Sequence, residues 1–311
     1  MKFSVTIPAY KSQFLREAIE SVTRQTYTDW ELIVVDDCSP EALHDITAPF
    51  LKDKRIRYYR NEKNCGARNV VDNWNTCLNY CTGDYVICMG DDDRLLPCCL
   101  EELSRVIGKY PDLNVYHSRT EIIDENGLQT EVLEERPEKE DALSLMKKRW
   151  EGRKQYIGDF CFSRQHLVSS GGYYPIPFAW GSDDITLFRA ALASGIANIN
   201  RPGFQYRDNR YSISLSHNYV EKVAAVLLQK EWHQSKLAEL LSQGTYPAEE
   251  IQEASKAMNH FIKGQIVGQI KSDLKHGGCK RYWYWLRNYP RSVLSRFLML
   301  KVYINSVIEI L

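Results

Sequence analysis

Several signals that would place this chain quickly are missing. Its 40 Lys and Arg balance 40 Asp and Glu, so no overall field attracts nucleic acid, and none is expected as a partner. No apolar run reaches the roughly 18 residues of a spanning helix. The nine cysteines are odd in number and none is spaced C-x-x-C; they read as reduced thiols, most of them small core residues, in a cytoplasmic protein. The paired His and Cys of a structural zinc site are absent, and no charged and apolar signal segment precedes the first strand. The first strand-to-helix turn, Pro8-Ala9-Tyr10-Lys11-Ser12, has no glycine, which excludes the G-x-G-x-x-G loop of a dinucleotide enzyme.

What remains is an ordinary folded composition, 44% hydrophobic and 26% charged, in 311 residues. That length suits one large α/β domain or a domain with a smaller appendage. Phe3 to Ile7 reads as a buried strand ended by Pro8, and Ser12 can cap a helix whose apolar positions Leu15, Ala18, Ile19 and Val22 follow helical spacing. Glu31 to Val35 is a second strand. A helix near Pro40 to Leu51, a strand Ile56 to Arg60, a helix around Ala67 to Tyr80 and a strand Tyr85 to Met89 continue the alternation. Right-handed crossovers then put the residues after each strand on one sheet edge, where ligands bind.

Further on, the pattern predicts a helix over Leu95 to Tyr110, a strand at Asn114 to His117, and a hairpin at Asn126-Gly127. A charged linker, Arg136 to Glu140, leads to a helix Asp141 to Trp150, a strand Tyr156 to Ser163 and a helix Asp183 to Ser194 ended by Gly195. From about residue 218 the pattern is helical, broken at Gly277-Gly278 and again at Pro290. The expected division is residues 1–217 and 218–311.

Five stretches can carry chemistry. Asp36-Asp37 ends the second strand and could read a nucleotide or simply form a solvated turn or helix cap. In Asn64-Cys65-Gly66-Ala67-Arg68-Asn69, Gly66 permits positive φ and Arg68 offers a planar fork of donors. Asp91-Asp92-Asp93 sets three carboxylates side by side, which need bulk water or a hard cation such as Mn²⁺ or Mg²⁺ to offset their repulsion. Asp183-Asp184 opens a helix, as a cap or as a proton acceptor. Arg207, Arg210 and His217 read as a polar loop able to approach phosphates.

In this order, Val5-Thr6-Ile7-Pro8-Ala9-Tyr10, Val34-Val35-Asp36-Asp37-Cys38-Ser39, Asn64 to Asn69, Gly83-Asp84-Tyr85 leading to Gly90-Asp91-Asp92-Asp93, and Asp183-Asp184 resemble the GT-A fold, family 2 inverting glycosyltransferases over about residues 1 to 215. The resemblance implies a Rossmann-like mixed α/β sheet flanked by helices, with a helical C-terminal appendage. It implies that Pro8, Ala9, Tyr10, Asp36, Asp37 and Arg68 surround the base of a nucleotide-sugar, a UDP-sugar by expectation. Asp91 would meet the ribose and Asp92, with Asp93, the Mn²⁺ or Mg²⁺ ion. Asp184 would be the general base and Asp183 an acceptor-hydroxyl or cap residue. The sequence departs from the family pattern twice: Gly90 takes the first place of D-x-D-D, and Asp183 replaces a more common Glu.

The implied product is a polysaccharide, lipopolysaccharide or other glycoconjugate, made on a glycan or lipid-linked acceptor. Between Lys271 and Lys301 eight Lys or Arg face one acid, Asp273, alongside the aromatic run Tyr282 to Leu286. That composition fits peripheral contact through residues 279–311 with the inner face of a membrane. Its alternative is a helical appendage packed on the catalytic domain or on a second copy in a homodimer. Two other functions compete: a nucleotidyltransferase, disfavoured by the glycine-free first turn, and a non-catalytic carbohydrate or calcium-binding module.

Overall fold

The structure, a computed structural model, describes residues 1–209, 217–291 and 293–308. Two compact units divide the chain. One takes Met1–Met146, Lys154–Pro175 and the described residues from Ser182 to Asn209; the other takes Lys147–Arg153, Ile176–Gly181 and the described residues from His217 onward.

The first unit is built on one mixed sheet. Strands β1 (Phe3–Ala9), β2 (Trp30–Asp36), β3 (Ile56–Arg60) and β4 (Tyr85–Cys88) are its parallel half, in the order β3-β2-β1-β4. Beyond β4 the sheet continues through β9 (Phe160–Ser163), β6 (Val115–Ile123), β10 (Ile196–Arg207) and β5 (Arg94–Leu95). Strand β9 runs antiparallel to β4 and β6, while β10 is parallel to β6. Strand β7 (Gln129–Val132) closes the Asn126-Gly127 hairpin onto β6, and β8 (Lys139–Glu140) pairs with β10.

Alternation along β1 sends Phe3, Val5, Ile7 and Ala9 to one face. There they meet Leu15, Ala18, Ile19 and Val22 of α1 (Leu15–Thr23), and the same core takes in Leu100, Leu103, Val106 and Ile107 of α4 (Cys99–Lys109), all nearly inaccessible. Each fully buried Leu or Ile contributes about 1.5–3 kcal/mol relative to exposure, so a charge at Val5 would cost the fold heavily. Helix α3 (Val70–Asn79) also packs against β1 and β2, burying Val71, Trp74, Cys77 and Leu78. Between α1 and α3 lie the short α2 (Leu43–Thr47) and β3.

Three expectations are corrected here. Ser12 does not cap α1: Phe14 stands at the cap position without a side-chain bond, and the Ser12 amide donates to Glu41 at 2.7 Å. Pro8 does not end β1, which continues to Ala9. The Thr6 carbonyl faces β4, accepting from Met89 N at 3.0 Å. Pro8, two residues on, faces the same way beyond the last β4 residue, Cys88, where no ladder donor is needed. The third concerns the segment after Gly195, where no strand was expected: it forms β10, the longest strand in the sheet, with register shifts on either side of Pro202.

The second unit holds α8 (Tyr219–Gln243), α9 (Ala248–Asn288) and α10 (Arg296–Ile308). Gly277-Gly278 does not break α9, contrary to the sequence reading. The Arg281 side chain, one turn on in the same helix, lies over Gly277, 2.1 Å from where a Cβ would stand, and the burial of Leu274 and Trp285 on either side outweighs the glycines' poor propensity. Pro290 does follow the end of α9. No helix among the described residues is long and apolar enough to cross a membrane.

Candidate functional site

Register sets the carboxyl edge of the parallel half. Ala9 lies opposite Asp36, and Asp36 opposite Arg60, while β4 ends at Cys88 beside Thr6. The turns after β1, β2, β3 and β4 therefore converge. Tyr10 is where they are tied: its N–H donates to Asp91 Oδ2 at 2.7 Å and its carbonyl accepts from Ser39 Oγ at 2.6 Å. The Tyr10 side chain is exposed, above a backbone fixed from both sides.

Asp36 is fully buried. Its Oδ1 accepts from Ser39 N at 2.7 Å, and its Oδ2 from Tyr58 Oη at 2.6 Å and from the Arg60 guanidinium. Burial and the Asp36 charge raise the Tyr58 phenol to about 12. Asp37 takes Asn61 Nδ2 at 2.8 Å and Cys65 N at 3.0 and 3.1 Å, pinning the loop that leads to Gly66. Both carboxylates thus hold the loops at this edge from within; Asp36, expected beside the base of a nucleotide, is enclosed by Ser39, Tyr58 and Arg60 in this conformation. Gly66 has φ +76° as expected, and Arg68 is exposed in the turn before α3.

The three carboxylates after β4 divide their work. Asp91 Oδ2 accepts from the amides of both Tyr10 and Lys11 at 2.7 Å. Asp93 Oδ1 accepts from Arg207 N at 3.0 Å and its Oδ2 from Gly90 N at 3.2 Å. Asp92 is the least buried of the three, with Asn209 Nδ2 on its Oδ2 at 2.8 Å. Burial, and then the charge of Asp92, push the Asp91 carboxyl up to about 6 and the Asp93 carboxyl well above the ordinary range. Asp93, expected beside Asp92 as a metal ligand, is buried, and each of its oxygens accepts from one backbone amide.

Gly90 is explained by the same turn. A Cβ there would lie 2.6 Å from Asp92 Oδ1 and 2.9 Å from Asp93 Oδ2, so only glycine lets the two carboxylates fold back over it.

No group of three or more His, Cys, Asp or Glu among the described residues converges as a metal cage. The donor set still fits a hard cation of the Mg²⁺ type, which takes one or two carboxylates and completes its shell with phosphate oxygens and water. Crowded carboxylates that burial drives toward protonation are an electrostatic deficit that such a cation would offset.

Arg207 is the residue whose role the sequence did not reveal. It is neither a loop residue nor available to phosphate: at 1% exposure it ends β10. Its Nε donates to the Asp92 carbonyl at 2.8 Å, Nη1 to the carbonyls of Asp124 and Glu125, and Nη2 to Glu17 at 2.7 Å. Glu17 also pairs with Arg94 at 3.3 Å, and both line a cavity of about 220 Å³ with Arg24, Leu95, Pro97 and Gln205. Arg210 lies outside the described residues. In the second unit His217 stacks on Tyr219 and lies tilted against His276.

Asp183 and Asp184 stand in the first turn of α7 (Ser182–Ala191), where the helix dipole favours negative charge. Asp183 is partly exposed; Asp184 is 1% exposed, with Gln155 Nε2 on its Oδ1 at 2.7 Å. A run of contacts joins this pair to the triplet. Gln155 precedes Tyr156, whose ring stacks on Tyr206 with centroids 3.7 Å apart, and Tyr206 precedes Arg207, whose amide holds Asp93.

With this geometry in hand, the comparisons with known proteins are informative. The profile of Glycosyl transferase family 2 matches residues 4–172, more than half of the 311-residue chain. The putative glycosyltransferase EpsE of Bacillus subtilis (strain 168) is 25% identical over 284 residues, 88% of this chain and 98% of EpsE. The putative colanic acid biosynthesis glycosyl transferase WcaA of Escherichia coli (strain K12) is 41% identical over 98 residues, 30% of this chain. Protein CgeD of B. subtilis (strain 168) is 29% identical over 133 residues, 40% of this chain. The aligned stretch is only about a third of WcaA and of CgeD, at 33% and 30% of their lengths.

Among solved structures, S. aureus TarS 1-349 in complex with UDP-GlcNAc superposes with a TM-score of 0.67 at 16% identity, covering 98% of this chain and 89% of that one. That likeness is one of fold, the GT-A fold. The chain belongs to Glycosyl transferase family 2.

Proposed function

We propose that this family 2 glycosyltransferase moves a sugar from a UDP-sugar to an acceptor hydroxyl, with inversion and with Mn²⁺ or Mg²⁺, in glycoconjugate synthesis. The observation that carries the reading is the turn after β4: three carboxylates at the carboxyl edge, with Asp91 locking the β1 turn and Asp92, the least buried of the three, lying over Gly90. In this reading the exposed Tyr10 ring and Arg68 flank the base, and Asp37 keeps the loop between them in place. Asp92 would hold the cation, which when bound offsets the charge developing on the departing diphosphate.

Acceptor-side chemistry falls to the start of α7. Asp184, oriented by Gln155, takes the acceptor proton as the hydroxyl oxygen bonds to the anomeric carbon. The bond from that carbon to the diphosphate oxygen breaks, and the nucleoside diphosphate leaves. The partly exposed Asp183 contacts the acceptor. An α-linked donor then yields a β-linked product.

The test is metal-dependent release of UDP from UDP-sugars, UDP-GlcNAc among them, with EDTA as control. UDP release that stops on chelation supports the reading; pyrophosphate release from nucleoside triphosphates, or neither reaction with Ca²⁺ binding alone, sinks it. Within it, an Asp184→Asn enzyme retaining wild-type transfer at saturating metal would move the proton acceptor to Asp183.

A further inference from the structure

The second unit takes only two short pieces from the first part of the chain, Lys147–Arg153 and Ile176–Gly181. Each stops just short of one partner of the Gln155–Asp184 hydrogen bond. The first leads through Lys154 into Gln155; the second leads directly into Ser182, Asp183 and Asp184. The helices of the second unit hold both pieces.

On the first piece, Trp150 packs edge-on against His233 of α8 at 5.1 Å between centroids. Lys147 pairs with Glu253 of α9 at 2.6 Å, and the Arg149 guanidinium lies 5.2 Å from the Phe261 ring. On the second, Trp180 Nε1 donates to Gln265 Oε1 of α9 at 2.8 Å, and the Lys222 ammonium of α8 lies 4.9 Å from the Trp180 ring. Lys222 is 1% exposed, and burial brings its ammonium down to about 8. Gly181 meets the Gln229 amide so closely that a Cβ would lie 1.5 Å from Nε2.

The second piece is also strained. Phe178 and Ala179 have φ of +61° and +53°, and Gly181 +95°, the first two in a region that costs a non-glycine residue about 1 kcal/mol or more. The Gln229 amide, fully buried, has no hydrogen-bond partner among the described residues, a further local cost. Such costs in and against Phe178 to Gly181, the stretch that leads into α7, mark a segment whose shape is enforced by its surroundings.

We infer that the helical unit is a positioning device for the acceptor-side carboxylates: Gln265 and Lys222, through Trp180, and Gln229, through Gly181, fix where α7 begins and so where Asp183 and Asp184 stand. This rests on the reading of that pair as acceptor-side groups. It assigns α8 and α9 a part in transfer, with none in donor binding.

The experiment uses the full-length chain with Gln265→Leu, which removes the Trp180 acceptor, and Gln265→Glu, which keeps an oxygen there. Three quantities are measured: slow release of UDP from UDP-GlcNAc with Mn²⁺, the Kd of UDP, and amide exchange over residues 182–186. The expected result for Gln265→Leu is release slowed about 10- to 100-fold, as for a misplaced catalytic group. UDP affinity should stay within about twofold, exchange at 182–186 should be faster with β1 and β2 unchanged, and Gln265→Glu should recover most of the rate.

Unchanged release and exchange in Gln265→Leu overturn the inference, as does loss of UDP affinity in parallel with rate, which would mark a general structural role. If the wild type neither binds UDP nor releases it from UDP-GlcNAc, the donor reading fails instead. The exchange measurement then decides the anchoring alone: faster exchange upholds it and unchanged exchange removes it.

Discussion

Two buried carboxylates occupy opposite ends of the same parallel strands and meet opposite fates. At the amino end, Glu31 of β2 is surrounded by Lys2 Nζ and Arg57 Nη2 at 2.8 Å, Ser4 Oγ at 2.6 Å, and the amide and hydroxyl of Thr82. Burial alone would raise its carboxyl, but the hydrogen bonds from Lys2, Ser4 and Thr82 outweigh that and bring it down to about 2. At the carboxyl end, Asp91 has two backbone amides but Asp92 as its neighbour, and is pushed up to about 6. The fold supplies cations where a carboxylate serves the structure. Beside the triplet, the cation Arg207 gives its side-chain donors to carbonyls and Glu17, so none of them reaches the three carboxylates, whose charge the proposed cation would offset.

Neutralising the outward member of the triplet breaks this contrast most severely. Asp92→Asn is expected to lower metal-dependent UDP release by about 100-fold or more, the scale for losing one preorganised electrostatic contact to a developing charge. Its urea midpoint should be no lower than wild type, since the crowding is relieved. Release that is undiminished would show that the cation, if used, is held elsewhere.

The amino-end carboxylate gives the reverse outcome. Glu31 has its folded value near 2 against 4.5 ordinarily, so its contribution is fully present above about 4.5 and is lost as pH falls toward 2. Glu31→Gln should therefore lose roughly 2 kcal/mol at pH 7, measured by urea unfolding. The difference between wild type and variant should shrink as pH falls from about 4.5 and close only below about pH 2, with UDP affinity at pH 7 unaffected. A constant difference across that range would remove Glu31 as the titrating group.

A smaller change tests how tightly the triplet is packed. Gly90→Ala puts a Cβ into the space used by Asp92 Oδ1 and Asp93 Oδ2. Because Asp92 is the less buried of the two, it should give way, raising the metal concentration for half-maximal UDP release by about tenfold, or about 1.4 kcal/mol, with little loss of stability. An unaltered metal requirement would mean that the carboxylate relaxes without leaving its place.

The parallel half of the sheet and its loops were legible because each strand is a short apolar run stopped by a polar turn, and crossover handedness does the rest. The other half was not. β10 carries Asn198, Asn200, Arg201, Pro202 and Gly203 in its middle, which reads as a loop; the strand survives by shifting register around Pro202. Arg207 was misjudged with it, since only the strand delivers its amide to Asp93 and its guanidinium to Glu17. Nor could spacing show that Asp36, rather than facing a ligand, is enclosed by Tyr58 and Arg60 from the neighbouring strand. The order of motifs gave the family; the burial of each carboxylate came only from three dimensions.

The basic C-terminal stretch sets a last and smallest effect against the site. Its aromatic run is divided: Trp285 is buried, with Nε1 on Asp273 at 2.8 Å and Arg281 on the same carboxylate at 3.0 Å, whereas Trp283 is 59% exposed. On α10, Met299 is buried while Leu300 and Ile304 are about half exposed. Only part of the apolar surface expected at a membrane is thus available, and one of the basic residues is spent on Asp273. Peripheral contact is proposed on that reduced face, with each exposed Lys or Arg near an anionic surface worth about 1 kcal/mol. Flotation with phosphatidylserine vesicles at about 0.1 M salt should recover more wild type than Trp283→Ser, Leu300→Ser together, by a factor of a few, and the gap should close at about 0.5 M salt. UDP release in solution should be the same for both proteins. Equal flotation at low salt would assign the exposed face to a second copy of the chain or to no partner.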